Sequence, residues 1–150
     1  MHIENLKLMK TMLEEIQEGL PDEATFNLEV FIRSGDGVLG EDWRNPSCGF
    51  SACALGFAAL DPRFRELGLR PNGFGSVYLR HLGLDGFDAA DELFKIDQYT
   101  CAYLFEPEAY RFIYDSDLLD YTVANVGREG DILPSHVIAR IDYLLSNEDG

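Results

Sequence analysis

The stretch Cys48–Asp61, CGFSACALGFAALD, decides how this chain folds. Gly49, Ser51, Ala52, Ala54, Gly56, Ala58 and Ala59 leave it with little side-chain bulk. Small residues on a helix let a second backbone approach closely at native packing density. The run therefore predicts a buried helix that starts near Cys48, with Ser47 as its N-cap and Gly56 and Ala58 against a neighbouring helix. A cysteine at such a helix start also sits where a thiolate is stabilised. Asp61-Pro62 closes the run and opens the next helix, Asp as cap and Pro at the first helical position, with RFREL following until Gly68.

On the N-terminal side, Ile3, Leu6, Met9, Met12, Leu13, Ile16 and Leu20 recur at helical spacing up to Gly19 and Pro21. Residues 26–32, FNLEVFI, fit a strand or a helical turn, and residues 34–47 have the composition of a loop. On the C-terminal side, helices are expected over 86–96, over TCAYLF before Pro107, over 115–126 and over 134–146. The last carries the apolar stripe Val137, Ile138, Ile141, Leu144 and Leu145. The expectation is a mainly α, compact single helical domain over 1–150, with room for a small β-element around 26–40 or 74–82.

Charge and cysteine content exclude several classes. The formal net charge is −15, against the basic surface that nucleic-acid or membrane-surface binding requires. No apolar run reaches the ~18–20 residues of a membrane span, and the N-terminus lacks the apolar block of a secretory signal. A cytoplasmic protein is expected. Cys48, Cys53 and Cys101 form no disulfide framework. His2, His81 and His136 lie at no metal-ligand spacing, so neither metal nor cofactor is expected. Gly73-Phe74-Gly75 lacks the context of a dinucleotide fingerprint, and no P-loop pattern occurs. Asp115, Asp117 and Asp120 lack the glycine and terminal glutamate of an EF-hand and read as a solvated helix start.

The segment SCGFSACALGFAALDPRFRELGL resembles a group of small uncharacterised phage and bacterial proteins with a Cys-Gly-x-x-x-Cys-x-x-Gly-x-Ala signature. The matching residues are Cys48, Gly49, Cys53, Gly56 and Ala58. Phe26-Asn27-Leu28 upstream, then Ala89-Ala90 through Phe94, Leu104-Phe105 and Val137 to Ile141 downstream, are similar to further elements of that group. The resemblance implies a phage or mobile-element origin, where small accessory proteins often serve host takeover or counter-defence. It implies no mechanism.

Three constellations could carry function. The first is Cys48 as a nucleophile with His81 or His136 as base, the minimum of a cysteine hydrolase. His136, in LPSHVIA at a helix start, also reads as a surface or capping residue. Cys53 and Cys101 read as small core hydrophobes. The second is an arginine segment. Residues 61–80 place Arg63, Arg65, Arg70 and Arg80 against only Asp61 and Glu66, beside Tyr78 and His81. Arginine forks suit phosphate and carboxylate, so this could be a small-anion or nucleotide pocket. Ordinary ion pairing is the commoner fate of such residues. The third is an acidic surface from Asp85 to Asp120, where Asp88, Asp91 and Glu92 share a helix face, with Trp43 as a contact residue or a core lid.

The leading expectation is a non-enzymatic interaction protein that docks through acid on a host protein, itself basic. A second copy of the chain stays open as a partner, as do the nucleotide-sponge and hydrolase alternatives.

Overall fold

The structure is a computed structural model that describes residues 1–22, 24–34, 42–45, 49–72 and 75–148. Helix accounts for 47% and strand for 12% of the described residues. The molecule is therefore mixed α/β, with two three-stranded sheets where a mainly helical chain was expected.

The small-residue stretch is the reason. Its first half is not helix but strand β3 (Phe50–Ala52), the middle strand of the first sheet. β3 pairs in parallel with β1 (Ala24–Phe26), Thr25 opposite Ser51. It pairs antiparallel with β2 (Ile32–Ser34), Arg33 opposite Ser51. Phe50 and Ala52 point into the core and Ser51 to the other face, as the period of two requires. The chain then turns at Cys53, whose N–H donates to the Val30 carbonyl at 2.9 Å. Helix α2 (Ala54–Ala59) follows at once and is buried throughout.

Close approach does occur at Gly56, but to the backbone that leads into β2 and not to another helix. A Cβ there would lie 1.8 Å from the Phe31 carbonyl oxygen and 2.8 Å from Ile32 Cγ1. Cys48 and Ser47 lie outside the described residues, so neither the nucleophile nor the cap is placed. The predicted Asp61 cap is present: its carboxylate accepts the Arg63 N–H, opening α3 (Pro62–Glu66).

The second sheet is an antiparallel meander of β4 (Leu69–Pro71), β5 (Val77–Leu79) and β6 (Leu84–Asp85). Strand thus occurs in both regions where a β-element had room. Helices α4 (Gly86–Phe94), α5 (Gln98–Phe105) and α6 (Glu108–Arg111) come next, and Asp97 caps α5 through the Thr100 N–H. The first helix, α1 (Ile3–Gly19), packs along the last, α7 (Pro134–Glu148), with Lys10 and Asp142 paired at 2.7 Å. One continuous core joins Met9, Leu13, Phe57, Phe64, Phe94, Phe105 and Ile141.

The helix expected over 115–126 does not form. Local side-chain bonds replace the helical ladder there, the usual competition offered by Ser, Asp and Asn. Ser116 Oγ accepts from the N–H groups of Leu118 and Leu119, Asp120 from Thr122, and Asn125 from Gly127. Ala124 adopts φ +57°, which no α-helix allows. No helix among the described residues is long and apolar enough to cross a membrane.

Candidate functional site

The arginine segment does not gather into one place. Arg63 folds back on Asp61, its Nε and Nη2 donating at 3.0 and 2.8 Å, and reaches Glu15 on α1 at 2.5 Å. Arg65 donates to the Ala59 carbonyl at 3.2 Å, and Arg70 to the carbonyls of Arg65 and Leu69. Tyr78 is half-buried on β5 opposite Arg70. The exposed His81 lines a separate cleft of about 190 Å³ with His2, Asn5, Glu92 and Lys95. Only the Arg80 guanidinium has no partner among the described residues, and it is exposed. Two free forks converging on an anion are absent among these residues.

What the segment builds is a polar knot around Asp61, whose side chain is fully buried. Besides Arg63, Asp61 accepts from the Trp43 indole N–H at 3.0 Å, and Arg44 approaches it at 3.7 Å. Burial pushes the Asp61 carboxyl up, but the Arg63 fork, the indole and the backbone N–H outweigh it and hold it below the usual carboxylate range. Trp43 itself is buried, edge-on to Phe57 and roofed by the Arg44 guanidinium at 4.4 Å. That burial fits the second of its two readings, a core lid.

The thiols offer no accessible nucleophile among the described residues. Cys53 is buried, and desolvation pushes it up to about 11. Burial likewise pushes Cys101 up, with the Asp91 carboxylate close by. His136 Nδ1 accepts the Leu133 N–H at 2.8 Å, the capping role weighed for it. No group of three His, Cys, Asp or Glu able to hold a metal occurs among the described residues.

A second polar assembly is one that the sequence reading passed over. Arg140 on α7 is completely buried. Its guanidinium lies 3.9 Å above the Tyr110 ring and 4.3 Å above the Tyr103 ring. Nε, Nη1 and Nη2 donate to the carbonyls of Val123, Tyr103 and Tyr121 at 2.9, 2.8 and 3.3 Å. Three carbonyl dipoles and two ring faces thus replace water around the charge. Burial nonetheless pushes its pKa down, against the offsetting tyrosines and Asp120. Two of those carbonyls belong to residues 121–123. Arg140 therefore takes acceptors that a helix would have used, and it anchors the irregular segment to the core. A signal was present: position 140 lies three after Val137 and four before Leu144, in the middle of the apolar stripe of α7.

That anchored segment forms the surface of most interest. Tyr103, Tyr121 and Tyr114 stack edge to face outward from Arg140, with centroids 5.1 and 5.3 Å apart. Tyr114 opens onto a run of exposed apolar side chains: Phe112, Ile113, Leu118 and, from α5, Tyr99. Leu118 is 83% exposed, Tyr99 67% and Ile113 65%. Asp97, Asp115, Asp117 and Asp120 are interleaved with them, all exposed. A cleft of about 340 Å³ lies between α5 and this segment, lined by Asp97, Tyr99, Thr100, Tyr114, Asp115 and Leu118 among others. The α4 acids are less available. Asp88 is exposed, but Asp91 is half-buried with a shielded Oδ1, and Glu92 pairs with Lys95.

Comparison with protein-family models, with curated proteins and with solved structures returns no match to this chain.

Proposed function

We propose that the protein is a non-enzymatic interaction protein that docks on a basic partner protein through an acidic surface centred on residues 97–121. One observation carries this reading. Large apolar side chains stand exposed at Tyr99, Phe112, Ile113, Tyr114 and Leu118, with the exposed Asp97, Asp115, Asp117 and Asp120 interleaved among them. A contiguous exposed apolar patch rimmed by polar groups marks an interaction site far more often than an isolated exposed leucine does. The acids add charge complementarity, which steers encounter and rejects acidic competitors. If the chain is phage or mobile-element encoded, the fitting partner is a host protein, and the fitting role is host takeover or counter-defence.

The test is association with a basic protein as a function of salt. The wild-type association rate falls steeply with ionic strength, as steered encounters do. Reversing Asp115 and Asp117 to Lys slows association more than reversing Asp88, Asp91 and Glu92 on α4. Binding indifferent to both salt and the Asp115/Asp117 reversal contradicts docking through this surface.

A further inference from the structure

We infer that the cleft between α5 and residues 114–121 is an arginine-reading site that takes the guanidinium of an arginine side chain presented by the basic partner. This rests on the docking reading above and narrows it to one side chain and one cleft.

Three tyrosines and two acids line the cleft. Tyr99, Tyr114 and Tyr121 stand in the lining beside Leu118 and Leu119, together with Asp97 and Asp115. One oxygen of Asp97 accepts the Thr100 N–H at 2.8 Å, which fixes the carboxylate at the α5 N-terminus while the exposed residue keeps its second oxygen for solvent. Asp115 is exposed and has no hydrogen bond or ion pair among the described residues. Thr100 and Ser116 add hydroxyls to the lining. A planar guanidinium satisfies both kinds of wall, stacking on rings and forking to carboxylates. A lysine ammonium has no plane to stack and gives up more hydration on entry. An anion is excluded by the two carboxylates.

The molecule already holds a guanidinium in this manner. Arg140 lies between Tyr103 and Tyr110, with the Tyr121 ring centroid 5.7 Å from its central carbon. Tyr121 contributes both to that interior box and to the outer cleft. Tyr121, and Tyr114 packed edge to face on it, are thus held before a ligand arrives, which lowers the cost of ordering them on binding. The buried Arg140 repels a second cation, and Asp97, Asp115 and the adjacent Asp117 and Asp120 outnumber it.

The probe is a short blocked peptide of alternating glycine and arginine with a fluorescent label, read by anisotropy at low salt. Its lysine and citrulline counterparts are measured beside it, citrulline being the neutral isostere of arginine. The arginine peptide is expected to bind, the lysine peptide more weakly, and the citrulline peptide at least about tenfold more weakly. Tyr114→Ala and Asp115→Asn each weaken the arginine peptide by about three- to tenfold, within the range of one cation–ring or carboxylate contact. Both positions are exposed, so folding survives, and far-ultraviolet circular dichroism verifies it. Tyr121 is left intact because its ring also packs on Tyr103 beside Arg140. Asp88→Asn on α4 removes the same charge outside the cleft and is expected to change affinity less than twofold. If Asp88→Asn and Asp115→Asn weaken binding equally and Tyr114→Ala does nothing, the peptide sees only the general field. The arginine site is then overturned while acidic docking stands. If the arginine peptide does not bind at all at low salt, the arginine site is overturned, and the salt and Asp115/Asp117 test with a basic protein decides acidic docking separately.

Discussion

Gly56→Ala isolates the packing of the small-residue stretch, because the substitution adds one methyl and nothing else. The new Cβ would stand 1.8 Å from the Phe31 carbonyl oxygen, where ordinary contact begins at 3.4 Å, so one backbone must retreat by more than an ångström. Neither side can yield freely. The Phe31 carbonyl also accepts the Cys53 N–H at 3.2 Å, at the point where β3 becomes α2. Ala52 and Ile32, the other neighbours of the added methyl, are opposite one another in the β2–β3 register. Overpacking of this kind costs about 1–3 kcal/mol, and backbone on backbone belongs at the upper end. At about 2–4 °C per kcal/mol for a chain of this size, the melting temperature should fall by about 6–12 °C. Thermal melts followed by circular dichroism read it directly. Gly19→Ala is the matched control: its Cβ meets nothing within 4 Å at the end of α1, so it should melt at or slightly above the wild type. A Gly56→Ala protein that melts with the wild type refutes the β2–α2 close approach.

Three further outcomes follow from the buried polar groups. Asp61 has its folded-state pKa held below its unfolded value, so it stabilises the native state fully above pH ~3.9. That contribution is lost as pH falls through the lower folded-state value. Asp61→Asn should flatten this acid limb and destabilise at neutral pH by about 3 kcal/mol, the low end for a broken buried pair, because water reaches Arg63 and Glu15. An acid limb unchanged in the variant contradicts the role given to Asp61. Arg140→Met leaves three buried carbonyls without their donor, at ~1 kcal/mol or more each, and should cost about 3 kcal/mol in a denaturant titration. Arg140→Lys should recover only part, since an ammonium cannot reach three carbonyls in one plane, and full recovery would contradict the fork geometry. Cys53, with its thiol pushed up to about 11 and buried, should resist iodoacetamide in the native protein at neutral pH and react only on unfolding. Peptide mass mapping reads that site separately from Cys48, and rapid native labelling of Cys53 would contradict its burial.

The helices were largely legible because their signals are local. α1, α3, α4, α5 and α7 announce themselves by apolar spacing and by caps such as Asp61 and Asp97. Strand β3 was not legible. Phe50-Ser51-Ala52 stands among small residues that favour a helix, and what makes it strand is pairing with Ala24–Phe26 and Ile32–Ser34, partners brought by the chain from well upstream. Tertiary pairing outweighs local preference at such positions. The region 115–126 failed for a related reason: besides its local side-chain bonds, the carbonyls of Tyr121 and Val123 are claimed by Arg140, at least seventeen residues away. The acids of the candidate site were visible: Asp115, Asp117 and Asp120 are solvated as expected, but they open no helix. Their tyrosine neighbours were not grouped with them, because Tyr99 sits on α5 and only the fold brings it beside Tyr114.

Nuclear magnetic resonance mapping of where the arginine–glycine peptide binds separates the cleft beside α5 from the general acidic field. With amide resonances assigned, titration at low salt should shift residues 97–100 and 114–121 first, with the Tyr99 and Tyr114 ring signals moving and 61–81 unaffected. Shifts confined to the α4 face, or spread evenly over the acidic surface without those rings, would contradict the cleft as the site.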